Sequence, residues 1–587
     1  MNRNLTPKES AMKKGFLTVL AAATLVATVS LAYAASTPER LVFDGNLLFN
    51  NAQTAGTPLP YAATAGPCTL STATTFTTTD LATTYFTHNR TDLDPLLVDP
   101  YNLTAPRWDP QQLSPVNCKY SGAAVVMNVT SLDPWFQQVD YIGAIPYRLT
   151  DPTQDWTTGW TYYNRSGGMG RTDINYSKPL VILTGPQTTA TLSAANNYLL
   201  RGKVNWVAGS TVTIPSGTYL FGEKATTGYL VIDRGAKIFV NGTKTAPVVL
   251  TSDQDPALGL MAPGDNGGLV IHGRAIANCA NTVGGDSCVS EGGAGVYGGG
   301  DDNDNSGSIK YMRIEYSGKI ISPDNELNSL TMNALGRNTV IDFVQALEGS
   351  DDAFEWFGGT VRCSHLVATG EDDDGLDWQL GFRGLVQFAV VQQEPLRGDK
   401  GIEADNSEFN FAAPFRSNPI FTNITLVGTN PPSAGAGSTN IGVHWRRGTA
   451  GTMVNSIIMG FRGPGLQLQD PETFANCPGT GPAVFCSPTV TAVESPINLG
   501  RIFVAASPNP FSRTTQLLFA LPTDQSGVRA RIYDAQGRLI ETLANGAMAR
   551  GTHQLRWDAS RVPAGTYFFR IDTGSGPSSN GKLIVVR

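Results

Sequence analysis

A chain of 587 residues is too long for one ordinary globular core, so it holds several domains or a solenoid whose core grows in one dimension. Charged residues make up only 16% of it, hydrophobic residues 41%, and Gly reaches 63; this excludes a charge-rich disordered chain and suits an extracellular β-protein with many turns. The net charge of −7, with no basic stripe, excludes a nucleic-acid partner.

From the N-terminus, Lys13 and Lys14 precede an apolar run from Phe16 to Leu31, and Ala32-Tyr33-Ala34 supplies small residues for cleavage. Residues 1–34 are therefore predicted to be a secretory signal peptide. No later stretch is long and apolar enough to span a bilayer, so no transmembrane segment is expected after cleavage. Residues 35–200 are rich in Thr, Pro and Asp-Pro but carry Trp135, Phe136, Trp156 and Trp160. They are predicted to be an ordered cap over a solenoid end, which otherwise exposes apolar core and unpaired strand edges. Seven cysteines fit an oxidising compartment. Cys68 with Cys118, Cys279 with Cys288, and Cys477 with Cys486 are the candidate disulfide pairs, while Cys363 sits in an alternating run as a buried ladder residue. No cysteine spacing matches a zinc site.

Residues 201–497 read as a solenoid. Thr211-Val212-Thr213-Ile214-Pro215, Tyr229-Leu230-Val231-Ile232 and Gly268-Leu269-Val270-Ile271 are short strands separated by turn signals such as Asn241-Gly242. Gly284 to Asn305 is a long excursion from one coil. Coils resume at Ile309 and run to about Leu468.

Within them one pattern recurs: Asp351-Asp352-Ala353-Phe354-Glu355, Asp373-Asp374-Gly375-Leu376-Asp377, Asp399-Lys400-Gly401-Ile402-Glu403, Asn440-Ile441-Gly442-Val443-His444 and Gly463-Pro464-Gly465-Leu466-Gln467. The starts lie 22, 26, 41 and 23 residues apart, a period suited to stacked β-coils with one longer insertion. The fourth position then forms an apolar stack and the fifth a polar one, with coils about 4.8 Å apart. Alternation predicts that Glu355, Asp377 and Glu403 point outward, beside a second row of Asp351, Asp373 and Asp399.

Stacked carboxylates repel, and three uses of them are open. They bind a hard cation such as Ca²⁺, with Asp351, Asp352, Glu355, Asp373, Asp374, Asp377 and Asp399 as candidate ligands. They act in catalysis, with Asp373 and Glu403 as the carboxylate pair and Lys400 or Arg446 as the base of a lyase. Or they are solvated turn residues. Trp356, Trp378 and Trp445 follow the columns and either stack on sugars or fill a corner of the solenoid.

Residues 498–506 read as a linker and 507–587 as a small all-β sandwich of the immunoglobulin-like kind, with a hairpin turn at Asp534-Ala535-Gln536-Gly537-Arg538.

Two resemblances add to this. Ser507-Pro508-Asn509-Pro510-Phe511, Ile532-Tyr533-Asp534, Gly537-Arg538, Pro563-Ala564-Gly565-Thr566-Tyr567 and Lys582 to Arg587 resemble the type A C-terminal sorting domain of the type IX secretion system. That resemblance implies contact with the type IX secretion machinery and export to the outer-membrane surface or medium of a Gram-negative bacterium. Gly267-Gly268-Leu269-Val270-Ile271-His272-Gly273-Arg274-Ala275, Tyr311-Met312-Arg313-Ile314-Glu315-Tyr316 and Ser350 to Gly359 are similar to secreted right-handed parallel β-helix proteins related in architecture to pectate lyases. The expected protein is all-β: a right-handed parallel β-helix followed by a β-sandwich. Its expected role is calcium-supported binding of an extracellular polysaccharide, a surface glycan or another surface partner. The alternatives are a polysaccharide lyase or glycoside hydrolase acting on acidic polysaccharide, and a structural surface or filament protein. The Gly-His-Gly segment of polygalacturonases is missing, which counts against that route to hydrolysis.

Overall fold

Short apolar strands that recur every coil pair with the strand one coil away rather than with their chain neighbours. The computed structural model describes residues 41–49, 94–111, 114, 116, 126–147, 155–165, 167–279, 288–322, 325–394, 397–429, 440–463, 465–476, 504–507, 511–521, 524–549, 551–573 and 578–586. The expected signal peptide, Cys68, Cys118, Cys477 and Cys486 lie outside these. The chain divides into two compact units, 1–495 and 496–587.

The first unit is a right-handed parallel β-helix with three strand faces. On the first face Leu230, Leu269, Leu330, Phe354, Leu376, Ile402, Val443 and Leu466 stand in register. All are fully buried. They belong to one core that runs from Leu192 to Leu468, so the hydrophobic contribution grows with every coil. Gly in the third position of the repeat has a steric cause. A Cβ on Gly375 would lie 2.4 Å from Val391 Cγ1, and one on Gly401 would lie 2.6 Å from the Gly442 carbonyl oxygen. Trp356, Trp378 and Trp445 are buried. Trp356 stacks on Phe382 at 5.2 Å, and Trp378 Nε1 donates to Thr449 Oγ1 at 3.1 Å. These three fill the interior and are not available to sugars.

The second and third faces meet at a sharp corner. Its residues, Tyr311, Phe343, His365, Phe388, Asn423 and Asn455, all have φ between 52° and 62°, a left-handed conformation costing about 1–2 kcal/mol each for non-glycine residues. Stacking offsets this: Tyr311 on Phe343 at 4.3 Å, Phe343 on His365 at 4.1 Å and His365 on Phe388 at 5.2 Å. His365 Nδ1 also meets Asp342 Oδ1 at 2.8 Å. Cys363 is a buried free thiol, pushed up to about 12 by burial.

The N-terminal region does more than cap one end. Leu41–Asp44 pairs parallel with Gly451–Val454, and Leu47–Phe49 with Ile457–Met459, so these residues add a closing half-coil at the C-terminal end. The chain then returns along the third face as a strap. Met127 N donates to Asn455 Oδ1 at 2.7 Å, Ala144 N to Thr425 Oγ1 at 2.9 Å, Tyr162 N to Gln345 Oε1 at 2.8 Å and Arg171 Nη1 to Glu315 Oε2 at 2.6 Å. The strap satisfies outward polar groups that would otherwise be buried without partners. It also explains why Leu385–Gln392 is buried at every position: this face is covered on both sides. At this end of the helix parallel pairing begins at Leu180 with Asn197, about one coil earlier than the expected boundary at 201. Cys279 and Cys288 are bonded.

In the second unit, Val504–Ser507, Thr514–Leu521 and Gly551–Asp558 form one antiparallel sheet, and Gln525–Asp534, Leu539–Met548, Gly565–Thr573 and Ser578–Val585 another. Phe511, Val528, Ile532, Trp557, Tyr567 and Leu583 fill the space between them. The first strand starts inside the expected linker. Asp534 Oδ1 accepts from Arg538 N at 2.9 Å, and Gly537 takes φ 80° in that turn.

Candidate cation site

Strand pairing fixes the polar column. Thr331, Glu355, Asp377, Glu403, His444 and Gln467 are consecutive register partners on the first face. One turn earlier, backbone bonds chain the second row: Asp399 N donates to the Asp373 carbonyl at 3.0 Å, and Ile441 N to that of Asp399 at 3.2 Å. Between the rows, Asp352 Oδ1 accepts from Asp374 N at 2.9 Å and Asp374 Oδ1 from Lys400 N at 2.6 Å.

The open strip expected from alternation is largely covered. Glu355 is 4% exposed, and Asp377 and Glu403 are each 8% exposed. The cover comes from the excursion that carries Glu291–Gly293 and from the hairpin Lys319–Ser322 with Asn325–Leu327. Gly292 N donates to Asn325 Oδ1 at 2.7 Å and ties the two together. Leu327 packs with Val231 and Val270, the apolar residues of the polar column two and three coils below Glu355. Tyr297 from the same layer lies 6.4 Å from Phe357.

All seven expected ligands meet in three clusters whose ligand oxygens lie within 4.8 Å of one another: Asp351 with Asp352 and Asp373; Asp352 with Glu355 and Asp377; Asp373 with Asp374 and Asp399. The two ends of the strip are electrically different. At the C-terminal end Lys400 Nζ lies 2.7 Å from Glu403 Oε1 and 3.9 Å from Asp374 Oδ2, and it also pairs with Asp399. Arg446 pairs with Glu403 and, at 2.9 Å, with Asp405. At the other end the strongest charged influences on Asp352 are acids: Asp377, Asp351, Asp374 and Asp373. Glu355 is offset only by amide donors, Gln379 Nε2 at 3.0 Å and Asn328 Nδ2. Asp377 Oδ1 and Asp351 Oδ2 are buried with no hydrogen-bond partner.

Burial first, and like charge second, push the carboxyls of Asp352, Glu355 and Asp377 well above the usual range. Asp351 is raised to about 8 by burial, Glu326, Asp373 and Glu291. Asp373, an exposed residue, is raised to about 6 first by the desolvation its close neighbours impose, with Lys400 opposing and Asp399, Glu403 and Glu326 adding. Burial disfavours the charge on Lys400, but Asp374, Glu403 and Asp399 outweigh it and raise its pKa. Arg446 behaves alike beside Asp405 and Glu403. Their acid partners thus favour the protonated forms of both expected proton acceptors, which works against either as a general base. Glu291, Glu326, Asp405 and Asn328 belong to the site and carry no repeat signature. Asn328 was reachable by extending the register one coil back from Asp352; the other three were not.

A family model described as a pectate-lyase-like β-helix domain matches residues 185–495, and one described as a FlgD Ig-like domain matches residues 508–576. No curated protein matches. Among solved structures, the enzymatically active domain of tailspike protein 2 of bacteriophage CBA120 is similar over 66% of this chain and 72% of its own, at 9% identity and a TM-score of 0.19. That of tailspike protein 4 is similar over 67% and 62%, at 10% identity and a TM-score of 0.18.

The raised carboxyls set the pH response of the metal-free chain. Between the unfolded pKa of about 3.9 and the folded values of about 6 for Asp373 and about 8 for Asp351, the folded state holds more protons than the unfolded one. Stability in chelator is thus expected to fall as pH rises from about 4 to 8. Denaturant midpoints measured across that range check the sign; a rise would contradict it.

Proposed function

Because the chain belongs to the family of pectate-lyase-like β-helix domains, we propose that its acidic strip holds calcium and that the calcium-supported face binds a glycan or another surface partner outside the cell. The observation that carries this is the Asp352–Glu355–Asp377 cluster, buried, with ligand oxygens within 4.8 Å, acids and amides about Asp352 and Glu355, and Arg446 and Lys400 acting only on its Asp377 edge, where burial and Glu403 outweigh them. At that separation each ionised pair repels by about 3.5 kcal/mol at an effective dielectric constant near 20. Three pairs, about 10 kcal/mol together, match the whole stability of a typical domain, about 5–15 kcal/mol, so at neutral pH the cluster takes protons or a cation. A hard divalent ion with oxygen ligands suits the donor set. Calcium is expected to raise the melting temperature of the chelated full chain, and Asp377→Asn to remove most of that response. An unchanged melting temperature on chelation would sink the proposal.

A second reading, a polysaccharide lyase or glycoside hydrolase, draws on Asp373. It is exposed and raised to about 6, a value suited to a general acid near neutral pH. Its partner would be Glu403 on the next coil. If the strip is catalytic, Asp373→Ala lowers turnover of an acidic polysaccharide at least 100-fold; full activity in that variant excludes Asp373 as the acid. A structural surface or filament role is the outcome if neither cation nor glycan binds.

For localisation we propose export by the type IX route. The support is the N-terminal charged and apolar segment, the Cys279–Cys288 disulfide and the motifs of the C-terminal sandwich. Among the described residues no helix is long and apolar enough to cross a membrane. A chain lacking residues 507–587 is expected to stay in the cell while the full chain reaches the surface or medium; equal export of both would refute the route.

A further inference from the structure

We infer that the strip is a two-cation site in which Asp352 bridges both ions, while the Lys400 ammonium takes the place of a third. This rests on the calcium reading above and goes further in fixing number and position.

The three clusters are not equivalent. The first two, Asp351–Asp352–Asp373 and Asp352–Glu355–Asp377, share Asp352. Each contains its own oxygen without a hydrogen-bond partner on a side chain at least nine-tenths buried: Asp351 Oδ2, with the residue 7% exposed, and Asp377 Oδ1, with the residue 8% exposed. Such an oxygen forgoes its hydration, and a bound ion restores the loss. Asp352 gives one hydrogen bond's worth of acceptance to Asp374 N, which leaves its other oxygen and a further lone pair for two ions.

Charge sets the number. The five carboxylates of these two clusters carry −5 when ionised, so one divalent ion leaves −3 and two leave −1; Lys400 and Arg446 act on Asp373 and Asp377 from the edge, but they are shared with Asp374, Asp399, Glu403 and Asp405. Glu291 and Glu326 add to the negative field from the overlying layer. A single ion is therefore too little by simple charge count. The third cluster, Asp373–Asp374–Asp399, already holds a cation of the chain's own. Lys400 fills the row position that Asp374 and Asp352 fill one and two coils earlier, and its ammonium lies among Asp374, Asp399 and Glu403. A metal ion there would sit against a fixed positive charge.

The test counts calcium bound to the full chain, stripped with chelator and then equilibrated by dialysis at pH 7.5, with circular dichroism as the check on folding. The wild-type chain is expected to bind two ions. Asp351→Asn and Asp377→Asn each retain one, Asp352→Asn binds none, and Lys400→Gln binds three. Asp352→Asn keeps the acceptor for Asp374 N, so its fold is expected to survive. If it does not, the two single-cluster variants decide: loss of both ions in either one overturns the bridged pair. No ion in the wild type sinks the calcium reading itself. One ion in the wild type, with melting still calcium-dependent, overturns this inference alone. Lys400→Gln remaining at two refutes the role given to Lys400.

Discussion

Parallel in-register pairing sets equivalent residues of successive coils about 4.8 Å apart, and everything else in the first unit depends on that spacing. When the repeated residue is Leu, Ile or Phe, the result is a continuous apolar stack from Leu230 to Leu466. When it is aromatic at a left-handed corner, stacking from Tyr311 to Phe388 offsets the backbone strain. When it is a carboxylate, the same spacing becomes an electrostatic cost that grows with each acidic coil. The chain confines that cost to three coils, from Asp351 to Glu403, and then changes to His444 and Gln467.

The two ends of the acidic strip solve the problem differently. Around Glu403 the solution is covalent to the chain: Lys400, Arg446 and Arg447 pair with Asp374, Asp399, Glu403 and Asp405. Around Asp352 the strongest charged neighbours are acids, Lys400 and Arg446 reach only its partners Asp373 and Asp377, and the layer bearing Glu291 and Glu326 adds charge of the same sign as the acids. The contrast separates a structural ion-pair network from a candidate ligand site within one strip. It also works against Lys400 and Arg446 as bases, since their acid partners favour the charged forms.

Much of this was legible in the sequence, because a solenoid converts spacing into contact. The apolar and polar columns, the clustering of Asp351 to Asp399 and the Cys279–Cys288 bond all follow from residues within one or two coils of each other. What was hidden is non-local. The strap that joins Met127 to Asn455 and Tyr162 to Gln345 spans hundreds of residues and has no period. The burial of Glu355 and Asp377 depends on an excursion whose Gly-rich sequence carries no sign of where it folds. Lys400 reads as an exposed base until the carboxylates around it are placed. The tryptophans could be read from sequence either as sugar platforms or as corner fillers, and only their burial decides for the second.

The central claim is that a cation occupies the buried end of the strip. Crystals of the full chain grown with calcium, or with manganese for its anomalous signal, test it most directly. The account predicts a density peak between the carboxylates of Asp352, Glu355 and Asp377, with oxygen distances of about 2.3–2.6 Å for calcium. Carboxyl groups that instead approach one another within hydrogen-bond distance, sharing protons with no peak between them, would contradict it.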